Sequence, residues 1–351
     1  MQRNARARLA GLLALGVAFA LSAARDVTAQ GLILTGYGDL EWRAIDNGGE
    51  GWKNSFNNHH FNLIALGSIT EDLIVGGEVE FEDSGAEIGL EYAYIGYTGI
   101  KNLRLMAGKF IIPFNRWNKD LHPTWINKLP GKPLVYESVF PTTYNDTGLW
   151  ASAALPVGTG SRATLDAYVV NGLEGSADEA DFVSLVGANP EELVNVNNKA
   201  VGGRLGLELA QGLGLGFSGY TGAYADDEAT GSGLQISFFG ADADYHNEGL
   251  ELRAEFVAAS QEITTGDNNN RKGFYGQAAY EIDKFEPVLR YSWVDFEGDN
   301  DPGDTSELGF GLSYYVGSSS ALRLAYFINT ERHDEFKTDN NKVIGQFVVA
   351  F

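Results

Sequence analysis

The chain has 351 residues, no cysteine, 44 glycines and a formal charge of −22. The missing thiols exclude a disulfide framework, a thiolate metal site and a cysteine nucleophile. The acidic balance excludes an extended nucleic-acid surface, which needs a basic stripe, and 44% hydrophobic residues are too many for a broadly disordered chain.

Residues 1–29 read as a cleaved signal peptide. Arg3, Arg6 and Arg8 form a positive leader, Leu9 to Leu21 is apolar or small, and Val27-Thr28-Ala29 fits a cleavage site before Gln30. The apolar run is shorter than the roughly 20 residues of an anchoring helix, which leaves an uncleaved anchor as the alternative. Removing Arg3, Arg6, Arg8, Arg25 and Asp26 leaves 21 basic and 46 acidic residues, a net of −25. Residues 30–351 then form one domain, in which no stretch reaches 18 consecutive apolar residues.

From Gln30 onward the pattern has period two, the signature of strands with one apolar and one wet face. Leu32, Leu34, Gly36, Gly38, Leu40 and Trp42 oppose Thr35, Tyr37, Asp39, Glu41 and Arg43. Leu73 to Phe81 set an apolar face against Glu78, Glu80 and Glu82. Ile88, Leu90, Tyr92 and Tyr94 oppose Glu87 and Glu91. Further ribbons of the same kind begin at Val201, Leu250, Phe274, Leu308 and Val343. Five apolar-face positions from each of these eight strands carry no charge, where chance predicts roughly eight. Alternation is poor over Phe61–Ile69 and Leu213–Tyr220. In Leu234–Tyr245, Asp242 and Asp244 share parity with Ile236 and Phe238, so a bulge is expected there.

Sixteen strands, mostly of ten to twelve residues, account for the chain, with fourteen or eighteen as alternatives. Short links (Thr70–Asp72, Gly99–Asn102, Pro156–Gly160, Ala210–Gly212, His246–Glu248, Asp283–Lys284, Gly317–Ser319) alternate with long ones (Asp46–Ser55, Pro113–Asp146, Gly172–Asn198, Ala225–Ser232, Gln261–Arg271, Glu297–Asp304, Arg332–Asn340), Asp83–Gly85 being the short exception. Short turns on one side and long loops on the other mark an all-β transmembrane, antiparallel up-and-down barrel of the bacterial outer membrane. Its expected surroundings are outer-membrane lipid and lipopolysaccharide.

The run Ala107-Gly108-Lys109-Phe110-Ile111-Ile112-Pro113-Phe114-Asn115-Arg116, with Lys132-Pro133-Leu134-Val135 and Phe140-Pro141-Thr142-Thr143, resembles the phosphate-selective porin O and P family. So do Glu78 to Glu82, Glu91 to Tyr94 and Asn198 to Arg204, and Phe351 is similar to the terminal aromatic assembly signal of outer-membrane proteins. The resemblance implies a 16-stranded, trimeric porin.

A barrel of this size encloses water, so function would lie in inward residues and any loop folded inside. Segment 113–146 is the candidate constriction. It holds Pro113, Pro123, Pro130, Pro133 and Pro141, which stiffen it and bar ladder pairing. Up to Pro141 it carries Arg116, Lys119, Lys128 and Lys132 against Asp120 and Glu137. Such cations could present positive charge to anions in a pore; an outer loop touching lipopolysaccharide or a neighbouring subunit is the alternative. On the wall, Arg43, Arg104, Arg162, Arg204, Arg253, Arg290 and Arg323 fall on wet faces, and Glu78, Glu80, Glu82, Glu87 and Glu91 cluster on one hairpin. They would either set a transverse field or pair with one another.

The five histidines, His59, His60, His122, His246 and His333, show no zinc spacing, and His59-His60 is expected near a loop edge. Asp299 to Asp304 departs from a calcium loop at Pro302 and lacks the distal Glu. Acidic loop residues such as Glu174, Asp178, Glu179, Asp181, Glu191 and Glu192 could bridge to lipid through divalent ions. No triad spacing suggests an enzyme, and no cofactor is expected. Two functions compete: a passive diffusion porin for small hydrophilic solutes, with phosphate-like anions favoured, and a plugged barrel with a structural or adhesive role. A soluble periplasmic β-protein is a third class.

Overall fold

The computed structural model describes residues 30–141, 143–175, 186–187, 199–226, 233–264, 268–297, 303–333 and 338–351. The signal peptide, the acidic loop residues from Asp178 to Glu192 and positions 299–302 lie outside them.

Sixteen antiparallel strands close into one barrel. They are β1 (Gln30–Asp46), β2 (Trp52–Ser68), β3 (Leu73–Glu82), β4 (Glu87–Ile100), β5 (Leu103–Ile111), β6 (Asn145–Pro156), β7 (Arg162–Val170), β10 (Ala200–Glu208), β11 (Leu213–Asp226), β12 (Gly233–Asn247), β13 (Leu250–Gln261), β14 (Asn269–Tyr280), β15 (Phe285–Phe296), β16 (Thr305–Gly317), β17 (Ser320–Glu331) and β18 (Lys342–Ala350). A two-stranded pair, β8 (Leu173–Glu174) and β9 (Val186–Gly187), forms a separate small sheet, with β8 packed against β11. Each barrel strand pairs with its sequence neighbours, β7 meets β10, and β1 closes on β18 through Tyr37–Ala350 to Ile45–Lys342. Closure leaves no free edge, which is what a sheet in hydrocarbon requires. A 12-residue strand tilted near 45° rises roughly 28 Å, about the thickness of the hydrocarbon core.

The apolar face points outward. Leu34 is 69% exposed, Leu205 54%, Phe217 56% and Leu324 60%, whereas Glu41, Glu255, Arg290 and Glu307 are buried on the opposite parity. In water such a belt would be a large exposed apolar surface; in a bilayer it is the lipid face. This excludes the soluble alternative.

Three local expectations need correction. The β1–β2 link is only residues 47–51, because both strands run to 17 residues. In β4 a bulge falls between the pairs Glu78–Tyr92 and Val79–Leu90, leaving Glu91 extra. Ile88 and Leu90 therefore face lipid, but Tyr92 turns inward to bond Glu78, and Tyr94 lies over Gly76 on the inner side. β12 has the reverse fault. Its ladder with β13 runs unbroken from Ile236–Gln261 to Asn247–Leu250, with no bulge. Ile236, Phe238, Asp242 and Asp244 share one parity because all four face inward and are buried. The poor alternation of β11 also has an interior cause. A Cβ at Gly214 or Gly216 would lie 2.2–2.3 Å from Asp244 or Asp242 oxygens, so those glycines make room for the wall's charged groups.

Candidate functional site in the lumen

Between β5 and β6 the chain leaves the wall, and residues 112–141 and 143–144 pack against inward side chains. The departure is local in origin. Asn115 adopts φ +46°, a left-handed conformation Asn tolerates better than most residues. Its N–H donates to Ser218 Oγ at 2.9 Å and its amide to the Phe256 carbonyl at 3.2 Å. A single π-helical turn, Trp117–Leu121, and a short helix, α1 (Leu134–Ser138), are the segment's regular pieces. Pro133 enters α1 at φ −65°, the angle its ring fixes.

The segment is held apolarly on one side. Phe114, Trp117, Leu134, Val135, Tyr136, Val139 and Phe140 are buried with Tyr220, Ile236, Phe238, Val257 and Tyr275 of the wall. Phe114 and Phe140 stack at 4.3 Å, and Phe238 meets Phe140 edge-on at 5.1 Å. This dry half of the interior explains why β12 carries Ile236 and Phe238 inward. Burying each such side chain is worth roughly 1.5–3 kcal/mol. Inner glycines admit the segment: a Cβ on Gly240 would sit 2.2 Å from Asn115, and one on Gly311 2.1 Å from Leu129.

Charged contacts complete the anchorage. Arg116 pairs with Glu208 and, at 2.8 Å, with Asp244. Lys119 meets Asp166 at 3.1 Å, and Lys128 meets Glu286 at 2.7 Å and Glu251 at 3.8 Å. Burial works to lower the Lys128 ammonium, but Glu251 and Glu286 outweigh it and hold it above its ordinary value. Trp117 N–H donates to Glu255 at 2.9 Å, Tyr275 does so at 2.9 Å, and Tyr136 donates to the other oxygen of the same carboxylate. Arg290 donates to the carbonyls of Gly131 and Lys132, and Arg323 to those of Thr124 and Trp125. The expectation of four free loop cations is therefore corrected. Three are neutralised by wall carboxylates, and Lys132 alone makes no ion pair among the described residues.

The wall arginines divide likewise. Arg204 pairs with Asp242, Arg253 with Glu251 at 2.7 Å, Arg290 with Glu307 at 3.4 Å and Arg43 with Glu41 at 2.9 Å. Arg104 and Arg162 are exposed on inward parity and enter no ion pair among the described residues. Sequence reasoning did not assign the carboxylates that pair with these cations. Asp166, Glu208, Asp244 and Glu286 are reached by the cations of residues 116–128, which only the path of that segment reveals, whereas Asp242, Glu251 and Glu307 are met by arginines of the wall itself.

Opposite the dry half, β1–β4 present carboxylates. Asn62 donates to Glu78 at 2.7 Å and to Glu80 at 3.0 Å, and Asn145 donates to Glu91 at 3.1 Å. Glu87 lies exposed across from Glu82. His60 is not at a loop edge but buried within β2, between Asp39 at 3.1 Å and Glu82 at 3.3 Å. A gap of only about 40 Å³ separates this wall from the segment, bounded by Glu41, His60, Glu80 and Glu82 on one side and His122, Thr124 and Lys132 on the other. A wider cavity of about 370 Å³ lies between Trp125, Ile126 and Lys128 and the wall residues Glu251, Arg253, Tyr315 and Arg323.

Comparison with known proteins agrees on the architecture. The anion-selective porin from Comamonas acidovorans superposes with a TM-score of 0.65 at 12% identity, covering 92% of this chain and 99% of that one. OmpF of Salmonella typhi, in its complex with daunomycin, gives 0.63 at 14% identity over 91% and 97%. OmpT, an outer-membrane protein of Vibrio cholerae, gives 0.60 at 11% over 91% and 97%. In sequence, an uncharacterized protein of Aquifex aeolicus is 23% identical over 281 residues, 72% of this chain and 62% of that protein. No family model matches the chain. The protein is thus a closed 16-stranded antiparallel barrel with the fold of outer-membrane porins.

Proposed function

We propose that the protein is a passive diffusion channel for small hydrophilic solutes, narrowed by residues 112–144. The observation that carries this reading is the narrow polar gap between that segment and β1–β3, continuous in character with the charged wall around it. A mechanism follows from charge bookkeeping at the gap. Arg116, Lys119 and Lys128 act as struts, their charge compensated by Glu208, Asp244, Asp166 and Glu286. A solute passing the gap meets Glu80, Glu82 and His60 on one side and Lys132 on the other, a field across the passage that orients dipoles. At the gap itself Glu80 and Glu82 stand against the single loop cation Lys132, with the carboxylates of Glu78 and Glu91 on the same hairpin. Weak cation preference follows, against the anion or phosphate preference that the segment's composition and the family resemblance suggest.

Trimeric assembly is part of the proposal, since OmpT of Vibrio cholerae has a trimer form with this fold. Outer-membrane lipid and lipopolysaccharide would contact the apolar belt. The protein acts here without catalysis or cofactor. A plugged barrel is the alternative, favoured by the tightness of the same gap. Purified protein in a planar bilayer decides: ohmic steps with a reversal potential on the cation side support the channel, and silence supports the plug.

A further inference from the structure

We infer that His60, Glu80 and Glu82 form a binding site for a divalent transition cation, Zn2+ by ligand chemistry, at the narrow gap of the lumen. One donor atom from each residue lies within 4.8 Å of the other two. Two ligands on one tetrahedral zinc, each about 2.0–2.2 Å from it, are roughly 3.3–3.5 Å apart. His60 Nε2 and Glu82 Oε1 stand at 3.3 Å already.

The surroundings point the same way. Asp39 Oδ1 sits 3.1 Å from His60 Nδ1, where a carboxylate can only accept a hydrogen bond from the Nδ1–H, which leaves Nε2 as the nitrogen facing Glu82. This is the carboxylate–histidine–metal order that fixes imidazole orientation in metal sites. Nε2 and a carboxylate oxygen at 3.3 Å are both lone-pair donors, so something positive, a proton or a metal ion, must lie between them. Asn62 holds Glu80 through one oxygen, Oε1. Beyond these ligands stand Glu78, Glu91 and Glu41, the last paired with Arg43. That excess of carboxylates favours a dication. Lys132, across the gap, bears the one opposing loop charge. The imidazole selects a borderline metal over Ca2+ or Mg2+, which take oxygen shells.

A cation held there occupies the gap itself. Binding is independent of the channel reading; block of conductance rests on it. The test is titration of detergent-folded protein with ZnCl2 by calorimetry, paired with bilayer recordings. One Zn2+ per chain is expected. Affinity should fall roughly 100-fold or more in His60→Asn and Glu82→Gln, about 10–100-fold in Asp39→Asn, and not in His246→Asn. X-ray absorption of the Zn2+-loaded wild type should show one imidazole among oxygen ligands, which holds the inference testable even if a variant misfolds. Absence of binding, full affinity in folded His60→Asn, displacement by equimolar Ca2+, or an all-oxygen shell overturns the site. Binding without change in an existing conductance leaves the site standing and refutes the gap as the conducting path, whereas binding to a protein that shows no conductance at all leaves the site standing and refutes the channel reading.

Discussion

Glu255→Ala is the sharpest probe of how residues 112–144 are held. Glu255 is almost wholly buried on β13 and accepts from Trp117 N–H, Tyr136 and Tyr275. Two of those donors belong to the segment and one to the wall, so the carboxylate is a rivet between them. Hydrogen bonds are worth roughly 0.5–1.5 kcal/mol each net, and a stranded buried donor costs about 1–3 kcal/mol. Allowing for non-additivity among neighbours, the variant should lose about 4 kcal/mol of seating. At 1.4 kcal/mol per tenfold, the released population rises roughly a thousandfold. The barrel ladder is untouched, so the loss is local. In bilayers, open-channel noise and sub-conductance states should appear. Trypsin added to folded protein should cut after Arg116, Lys119 or Lys128, which are half-buried in the wild type. Heat-modified gel mobility checks that the barrel remains folded. A folded Glu255→Ala protein with wild-type noise and trypsin resistance would refute the rivet.

Other consequences follow from the same contacts. Leu205→Arg and Leu324→Arg should each destabilise folding into vesicles by up to about 2–4 kcal/mol, the cost of charge on the lipid face near mid-bilayer; an unchanged urea midpoint would remove the lipid-facing assignment. Gly311→Val should push Leu129 and its neighbours off the wall and alter conductance, whereas Gly345→Val, where an added Cβ meets nothing within 4 Å, should not. Burial lowers the His122 imidazole to about 4. The seated segment keeps it neutral while a released one protonates near 6.5, so the seating contributed by neutrality is full above pH 6.5 and lost as pH falls through 4. The loss is about 1–3 kcal/mol. Wild-type noise should therefore rise on acidification, and His122→Gln should flatten that dependence.

The barrel was legible because lipid bars charge from the middle of one face: Leu32, Leu205, Leu252, Phe310 and Phe347 are outward where alternation puts them, and the outward pair Lys272–Asp295 falls at strand ends. Strand number and loop rhythm followed, since each turn interrupts the period. The failures share one physical origin, which is that the interior obeys no comparable rule. Tyr92 and Tyr94 suit either face, so nothing in the sequence marks Glu91 as the extra residue of a bulge. Ile236 and Phe238 appeared misplaced because the wet face was taken as uniformly wet, when half of it is covered by Phe114 and Phe140.

The same origin explains the loop cations. A proline-rich segment with Arg116, Lys119, Lys128 and Lys132 reads as a positive element in a negative chain. A segment crossing a lumen walled by Asp166, Glu208, Asp244 and Glu286 cannot keep cations unpaired at such short range. Even at an effective dielectric of 20, opposite charges 4 Å apart attract by about 4 kcal/mol. Desolvation, side-chain ordering and any surviving water take back much of that, so the pairs fix position more than they add stability. Selectivity is thereby handed to residues the segment does not reach. Exchanging Lys132 for Glu should move the reversal potential further toward cations, while Lys119→Gln, which unpairs Asp166, should shift it less per unit of charge and raise noise more. Equal shifts from both substitutions, with no difference in noise, would mean that Lys119 faces the permeating solute after all.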